Sequence, residues 1–354
     1  MRTRFPLATA VSKAIALTAV ASAALASACS TEETVPRPPA PPVNWRPQYH
    51  ASLDAGPVVA TSKERAAAGA YMKALGSPGL VELGPVLDED VHFAFAGMKD
   101  AHGRDKVVEA HTALFGAFDQ RSFVPTRTWI TDAAQAVEWT MTGVQAREWM
   151  GLAATRKPVT IKGLTLFWTN DDGSITDVHV SFDQAVVKVQ LGAGPKELAS
   201  LSPPEAPPAG GTREFEQAST AEESANVAQV RASLSELEKG DQTSYVGTMT
   251  DDVLVYTPER AQPARGKEEA GTYFKGLRKQ IADLDTSVLN VWGVKEFVIV
   301  EYDIVGEQIA PIGWVSLQKD RLVKLSVIDV VEMQGGKIAR VWRYDNPAQI
   351  LTSP

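Results

Sequence analysis

Apolar and polar positions along this chain change period several times, and they do so in the same order twice. ERAAAGAYMKAL (64–75) and NVAQVRASLSELEKG (226–240) carry apolar residues three and four apart. That spacing predicts an amphipathic helix opening each half, with Gly240 stopping the second. Short alternating segments follow, VHFAFAG and VLVYTP, and then a further helix beginning after Gly103 or Gly266. Three long strands close the first half: QAVEWTMTGVQ, PVTIKGLTLFWT and ITDVHVSFD. NDDGS and QGGK sit before the last strand of each half and read as hairpin-type turns. Helices first and antiparallel strands afterwards predict an α+β arrangement, a curved antiparallel sheet wrapped around helices.

The halves also match in letters. VEWTMTG pairs with VEYDIVG and HGRDKVVEAHTALF with RGKEEAGTYFKGL, both at a spacing of 163 (306 − 143; 266 − 103). LDEDVHF pairs likewise with TDDVLVY. Several matches in one order predict two tandem domains of ordinary size. Aligning the last strands on their aspartates, Asp183 and Asp345, shortens the spacing to 162 (345 − 183). A one-residue β-bulge confined to the first copy is expected to restore the two side chains to one face.

Composition adds what the ends do. MRTRFPLATAVSKAIALTAVASAALASACS has a basic start, a small-residue apolar run and Cys29, the only cysteine of the chain. Residues 1–28 therefore read as an export signal. LASAC resembles a bacterial lipobox, which implies a lipidated Cys29 and an anchor at the cell envelope; Ala26 stands where a larger aliphatic residue is usual. Proline-rich sequence after it makes 29–58 a tether. The first domain is expected over 59–192, a Pro/Ala/Gly-rich linker over 193–221, and the second domain over 222–354. A net charge of −8 with no basic run argues against nucleic acid as a partner. A single cysteine rules out disulfides within the chain.

The last strand of the first copy poses the functional question. Its alternate positions, Asp177, His179, Ser181 and Asp183, are polar, so that face meets water or lines a cavity. VEWTMTGVQ together with GLAATRKPVTIKGLTLFWTNDDGSITDVHVSFDQAVVKVQLG resembles the SnoaL-like polyketide and ester cyclase group of the NTF2-like superfamily. The resemblance covers about 63–192; the second copy is more distant and lacks the Thr-x-Lys-Pro segment. It implies a cone-shaped fold with an internal pocket. It also implies cofactor-free acid–base chemistry of the cyclase or isomerase type by an aspartate late in the domain. Asp183 matches that position, with His179 orienting the substrate or sharing the proton.

Pocket walls are expected from Trp139, Met141, Trp168 and His92 in the first copy, and from Tyr302 and Asp345 in the second. Each has a structural alternative: Asp183 as a cap, His179 as a hydrogen-bonded surface histidine, Trp139 as core. Glu138 and Glu301 repeat on the face opposite Trp139 and read as solvated or cross-strand-paired carboxylates. No ligand spacing links His92, His102, His111 and His179, and no metal is expected. The ligand class is a small, partly apolar molecule. The competing reading is a non-catalytic binding or assembly module, its two copies packed sheet to sheet as a pseudo-dimer, or the chain as a homodimer.

Overall fold

The computed structural model describes residues 62–198, 211–318 and 321–351. The export signal, Cys29, the tether and the centre of the linker lie outside the described residues.

The first domain runs α1 (Ser62–Gly76), β1 (Leu87–Phe95), β2 (Ala101–His102), α2 (Arg104–Phe115), β3 (Phe118–Ile130), β4 (Gln135–Gln145), β5 (Pro158–Thr169), β6 (Ile175–Ser181) and α3 (Gln184–Leu191). β7 (Arg213–Glu216) joins the same sheet, whose order is β2-β1-β6-β5-β4-β3-β7. The second domain runs α4 (Ala221–Lys239), α5 (Gln242–Gly247), β8 (Met249–Tyr256), β9 (Ala264–Arg265), α6 (Gly266–Gln280), β10 (Ile281–Val294), β11 (Phe297–Gln308), β12 (Leu322–Gln334) and β13 (Lys337–Asp345). Its order, β10-β11-β12-β13-β8-β9, repeats the first.

Both domains are α+β cones. The long strands pair antiparallel as expected, but the sheet is mixed: β1 runs parallel to β6, and β8 parallel to β13. The chain between each parallel pair, α2 with β3–β5 in one copy and α6 with β10–β12 in the other, is the long connection that parallel pairing requires. β3 and β10 are long strands that the alternation did not reveal. β3 reads FDQRSFVPTRTWI, with Pro125 and charges inside it and a mostly half-buried pattern. β7 lies inside the stretch read as linker. Its REFE segment follows the Pro-rich run and covers the β3 edge, pairing Arg127–Ile130 with Arg213–Glu216.

Local chemistry explains the ends of elements. Thr220 caps α4, and Glu223 returns the favour to the Thr220 backbone in a capping box. Gly335 and Gly336 carry φ of 57° and 72° in the β12–β13 turn, where residues with a Cβ are disfavoured.

The bulge expectation is corrected. β6 skips Thr176 between Trp168↔Asp177 and Thr169↔Ile175, and β13 skips Ala339 between Glu332↔Arg340 and Met333↔Ile338. Both copies therefore bulge at one equivalent place, and the spacing of 163 (339 − 176) continues to the strand ends. Asp183 corresponds to Asn346, not Asp345. Each follows its strand and precedes a helical turn, α3 in one copy and Pro347–Leu351 in the other.

The sheets' outer faces pack against each other. Trp129, Leu164, Leu166 and Trp168 of the first meet Trp292, Phe297, Ile299, Val330 and Tyr344 of the second, all buried in one apolar cluster. The two domains thus share one apolar cluster, sheet against sheet, within the chain.

Candidate functional site

The polar face of β6 meets neither water nor a cavity of its own domain. His179 is 2% exposed, and its Nδ1 lies 2.9 Å from Oε1 of Glu301 on β11. Asn290 donates to the same carboxylate at 2.6 Å, and Trp168 packs its ring 4.8 Å from the imidazole. The pseudo-symmetric carboxylate, Glu138, takes two hydrogen bonds from Arg127, at 2.9 and 2.8 Å, and one from Thr126 at 2.6 Å. Lys162 lies 3.2 Å away, and the Tyr344 hydroxyl of the other domain donates to it. Burial pushes the Glu138 carboxyl up, but the Arg127 and Thr126 hydrogen bonds and the Arg127 and Lys162 charges hold it well below the usual range. The two repeated glutamates thus pin the domain junction. His179, expected as a catalytic residue, and Trp168, expected as a pocket wall, line the same junction because both point outward from their strands.

Inside the first cone the space is taken by rings. Phe115 lies 5.8 Å from Phe182 and 6.0 Å from Trp139, and Phe95 lies 4.8 Å from Phe182. Trp139 and Met141 do face inward, but as fully buried core. A Cβ on Gly163 would stand 2.4 Å from the Trp139 ring, so the glycine lets the indole lie across the strand opposite. Tyr71 donates to Nε2 of His111 at 2.8 Å, while Nδ1 of His111 donates to the Val107 carbonyl. Burial pushes that imidazole down to about 4. His92, taken as a pocket residue, is half-buried on β1 with its ring 3.9 Å from His102. It alternates with the inward Phe93 and so faces away from the cone.

Asp183 is buried at 4% exposure, but it caps α3. Oδ1 accepts from the Ala185 amide at 2.7 Å, and Oδ2 is buried with no partner among the described residues. Burial first, with the Glu259 charge adding, pushes its carboxyl up to about 7.

The second cone has a polar interior. The sheet places Tyr302 (β11), Asp329 (β12), Arg343 and Asp345 (β13) on its concave face. Tyr302 donates to Oδ2 of Asp329 at 2.8 Å. Arg343 grips Asp329 through Nε at 3.0 Å and Nη2 at 2.9 Å, and it donates to the Tyr302 and Tyr273 hydroxyls at 2.5 Å each. Tyr273 therefore accepts from a cation and keeps its own proton to donate. Asp345 is 6% exposed, with Oδ1 buried and unpartnered among the described residues. Burial first, then the Glu259 charge and those of Asp183 and Asp329, push its carboxyl well above the usual range against the pull of Arg343. Tyr245 and Tyr273 of the helices and Glu259 after β8 are half-buried, so the network reaches from the sheet to the surface. Tyr245 is pushed up to about 12 by burial.

Of the residues expected at a site, only Tyr302 and Asp345 meet in one polar cone. Tyr273, Asp329, Arg343 and Glu259 were missed. For Asp329 and Arg343 the signal was polar residues at inward positions of Val-rich strands, SVIDVV and VWRYD, where the first copy has Thr165 and Val180; Tyr273 on α6 and Glu259 in the loop after β8 carried none. A separate surface cleft of about 400 Å³, lined by Lys63, Asp132, Gln135, Asn170 and Asp171 among others, lies at loops of the first domain. Among the described residues, no three His, Cys, Asp or Glu side chains gather as a metal site.

A two-domain α+β cone with a buried acid defines the class, and comparison supplies the family. The SnoaL-like domain model matches residues 68–178 and again 230–341. The chain belongs to the SnoaL-like domain family, in two tandem copies. SnoaL-like domains are cyclases and isomerases with pockets for small-molecule ligands. Similar solved structures include a candidate SnoaL-like polyketide cyclase from Jannaschia sp. CCS1, 16% identical, covering 38% of this chain and 94% of that one, with a TM-score of 0.35. An LEH-like epoxide hydrolase of M. tuberculosis is 16% identical over 36% of this chain and 88% of its own, at a TM-score of 0.30. No curated protein matches the chain.

Proposed function

We propose that this chain is a cofactor-free acid–base catalyst of the cyclase or isomerase type, with its site in the second domain. The first domain, plugged by its own rings, is the docking half of the pair. The observation that carries this reading is the buried Oδ1 of Asp345, without a partner among the described residues, beside the Tyr273–Arg343–Asp329–Tyr302 network. A carboxyl raised by burial is a stronger base when ionised than an exposed aspartate, and as an acid it keeps a proton to return to the substrate. In this reading the Tyr273 hydroxyl, which accepts from Arg343, holds the substrate oxygen as charge develops. Apolar walls from Phe274, Val300 and Val327 fit a small, partly apolar molecule carrying a carbonyl.

The test is exchange of α-protons for deuterium in a panel of small ketones and β-keto esters, followed by NMR. Exchange catalysed by the wild type, and lost in Asp345→Asn, supports the reading. Exchange that survives Asp345→Asn, or no catalysed exchange at all, contradicts it.

The chain's place in the cell is part of the same reading: an exported lipoprotein, held at the envelope through Cys29 and its proline-rich tether. Radiolabelled palmitate entering the wild type but not Cys29→Ser tests the anchor; equal labelling of both refutes it.

A further inference from the structure

Two of the rings that plug the first cone have polar counterparts in the second. β1 lies beside β6 with Ala94 opposite His179 and Phe95 opposite Val180, and β8 lies beside β13 with Val255 opposite Val341 and Tyr256 opposite Trp342. His179 and Trp342 are equivalent by the spacing of 163 (342 − 179), so Ala94 answers to Tyr256 and Phe95 to Thr257. On the last strand the same spacing gives Phe182 for Asp345 (345 − 182). Phe95 and Phe182 pack together in the first cone, their rings 4.8 Å apart. The second cone thus carries Thr257 and Asp345 at the two places where the first has a ring contact, and neither reaches as far inward as a phenyl ring.

Thr257 keeps to the alternation of β8. Val253 and Val255 are buried in the second cone, Tyr256 stacks on Trp342 on the outer face, and Thr257 returns to the inner face at 8% exposure. The Arg260 amide donates to the Thr257 carbonyl at 3.2 Å, which turns the chain straight after this residue. Thr112, Thr248 and Thr272 donate their hydroxyls to backbone carbonyls three or four residues back. The Thr257 hydroxyl does not: like Oδ1 of Asp345, it is buried with no partner among the described residues. Buried hydroxyls are nearly always hydrogen-bonded, because an unmet one is costly. Two such oxygens at equivalents of touching positions, inside one polar cone, point to a guest that supplies the missing partners.

We propose that Thr257 determines specificity in the second cone: its hydroxyl holds a second oxygen of the substrate, which is therefore a small ketone with an oxygen function beyond its acidic carbon. The inference rests on the Asp345 reading given above and adds the substrate class. With Asp345 at the acidic carbon and Tyr273 at the carbonyl oxygen, the Thr257 hydroxyl takes the oxygen on the far side of that carbon. A site with such a hydroxyl disfavours an analogue that lacks the oxygen, because the protein's own group is then stranded.

Two ketones of one shape test this. Diacetone alcohol carries a hydroxyl where methyl neopentyl ketone carries a methyl group. Binding of each to the full-length protein is read from the ring signals of labelled tyrosine, with α-proton exchange followed alongside. The wild type is expected to bind diacetone alcohol about tenfold more tightly. Thr257→Val, which keeps the shape and removes the hydroxyl, is expected to lose that preference, and Thr257→Ser to keep it. A wild type without the preference, a preference unchanged in Thr257→Val, or equal weakening toward both ketones overturns the inference and leaves the Asp345 reading standing. Preferential binding without Asp345-dependent exchange overturns the catalytic reading alone. A protein that binds neither ketone overturns both.

Discussion

His179 of the first domain and Glu301 of the second lie 2.9 Å apart, both almost fully buried, across the junction of two stacked sheets. This pair is why the polar face of β6 is buried rather than wet. Removing one partner of a buried pair leaves the other short of a hydrogen bond in a place that water does not reach, which costs about 3–5 kcal/mol. His179→Ala is therefore expected to lower the urea midpoint strongly while leaving catalysed proton exchange per folded molecule intact. Exchange lost in a folded His179→Ala protein returns the imidazole to the chemistry.

Glu138 supplies an acid limit. Its carboxyl is held below the unfolded value of 4.5 by Arg127, Thr126 and Lys162 despite its burial. A depressed acid contributes stability above the unfolded value and loses it as the pH falls toward the folded one. Stability is thus expected to decline below about pH 4.5, and less so in Glu138→Gln, which starts weaker at neutral pH. Urea midpoints at pH 3 to 7 check this.

Asp183 works with the opposite sign. Its carboxyl rises from 3.8 to about 7 on folding. A raised acid contributes fully below the unfolded value, and that contribution is lost as the pH rises through the folded one. Asp183→Asn, which keeps the cap, is expected to match the wild type near pH 4 and to exceed it at pH 8. The linkage sets an upper bound on the order of 4 kcal/mol. Chemical denaturation at those two pH values measures the gain.

Asp329→Ala is expected to destabilise the second domain by about 3–5 kcal/mol, because it strands the fully buried Arg343. Tyr302→Phe, which keeps that pair and removes one hydroxyl, is expected to cost about 1 kcal/mol. Thermal unfolding of the two variants ranks them.

Much of the fold was legible because alternation and amphipathic spacing survive in both copies, and a duplication reads out as matched letters. β3 and β7 were hidden by their polar, half-exposed edges. The alignment of the last strands went astray for a local reason: Asp183 and Asp345 share a letter, and aligning them invoked a bulge in one copy only. The backbone bulges in both, at Thr176 and Ala339, which turns Asp183 into a cap and Asp345 into the counterpart of Phe182. Similarity to a cyclase group marked the first copy as the working one. Yet its interior carries Trp139, Phe182 and His111 where the second carries Tyr302, Asp345 and Phe274. What a cone can do depends on those inward residues, and one substitution of Phe by Asp outweighs many framework matches.

The most direct test of a second-domain site uses tyrosine rings as reporters. Tyr71 lies inside the first cone and Tyr273 and Tyr302 inside the second. With ring-labelled tyrosine in the full-length protein, small ketones that bind are expected to shift Tyr273 and Tyr302 and leave Tyr71 unmoved. Shifts confined to Tyr71 would place the ligand in the first cone and contradict the account.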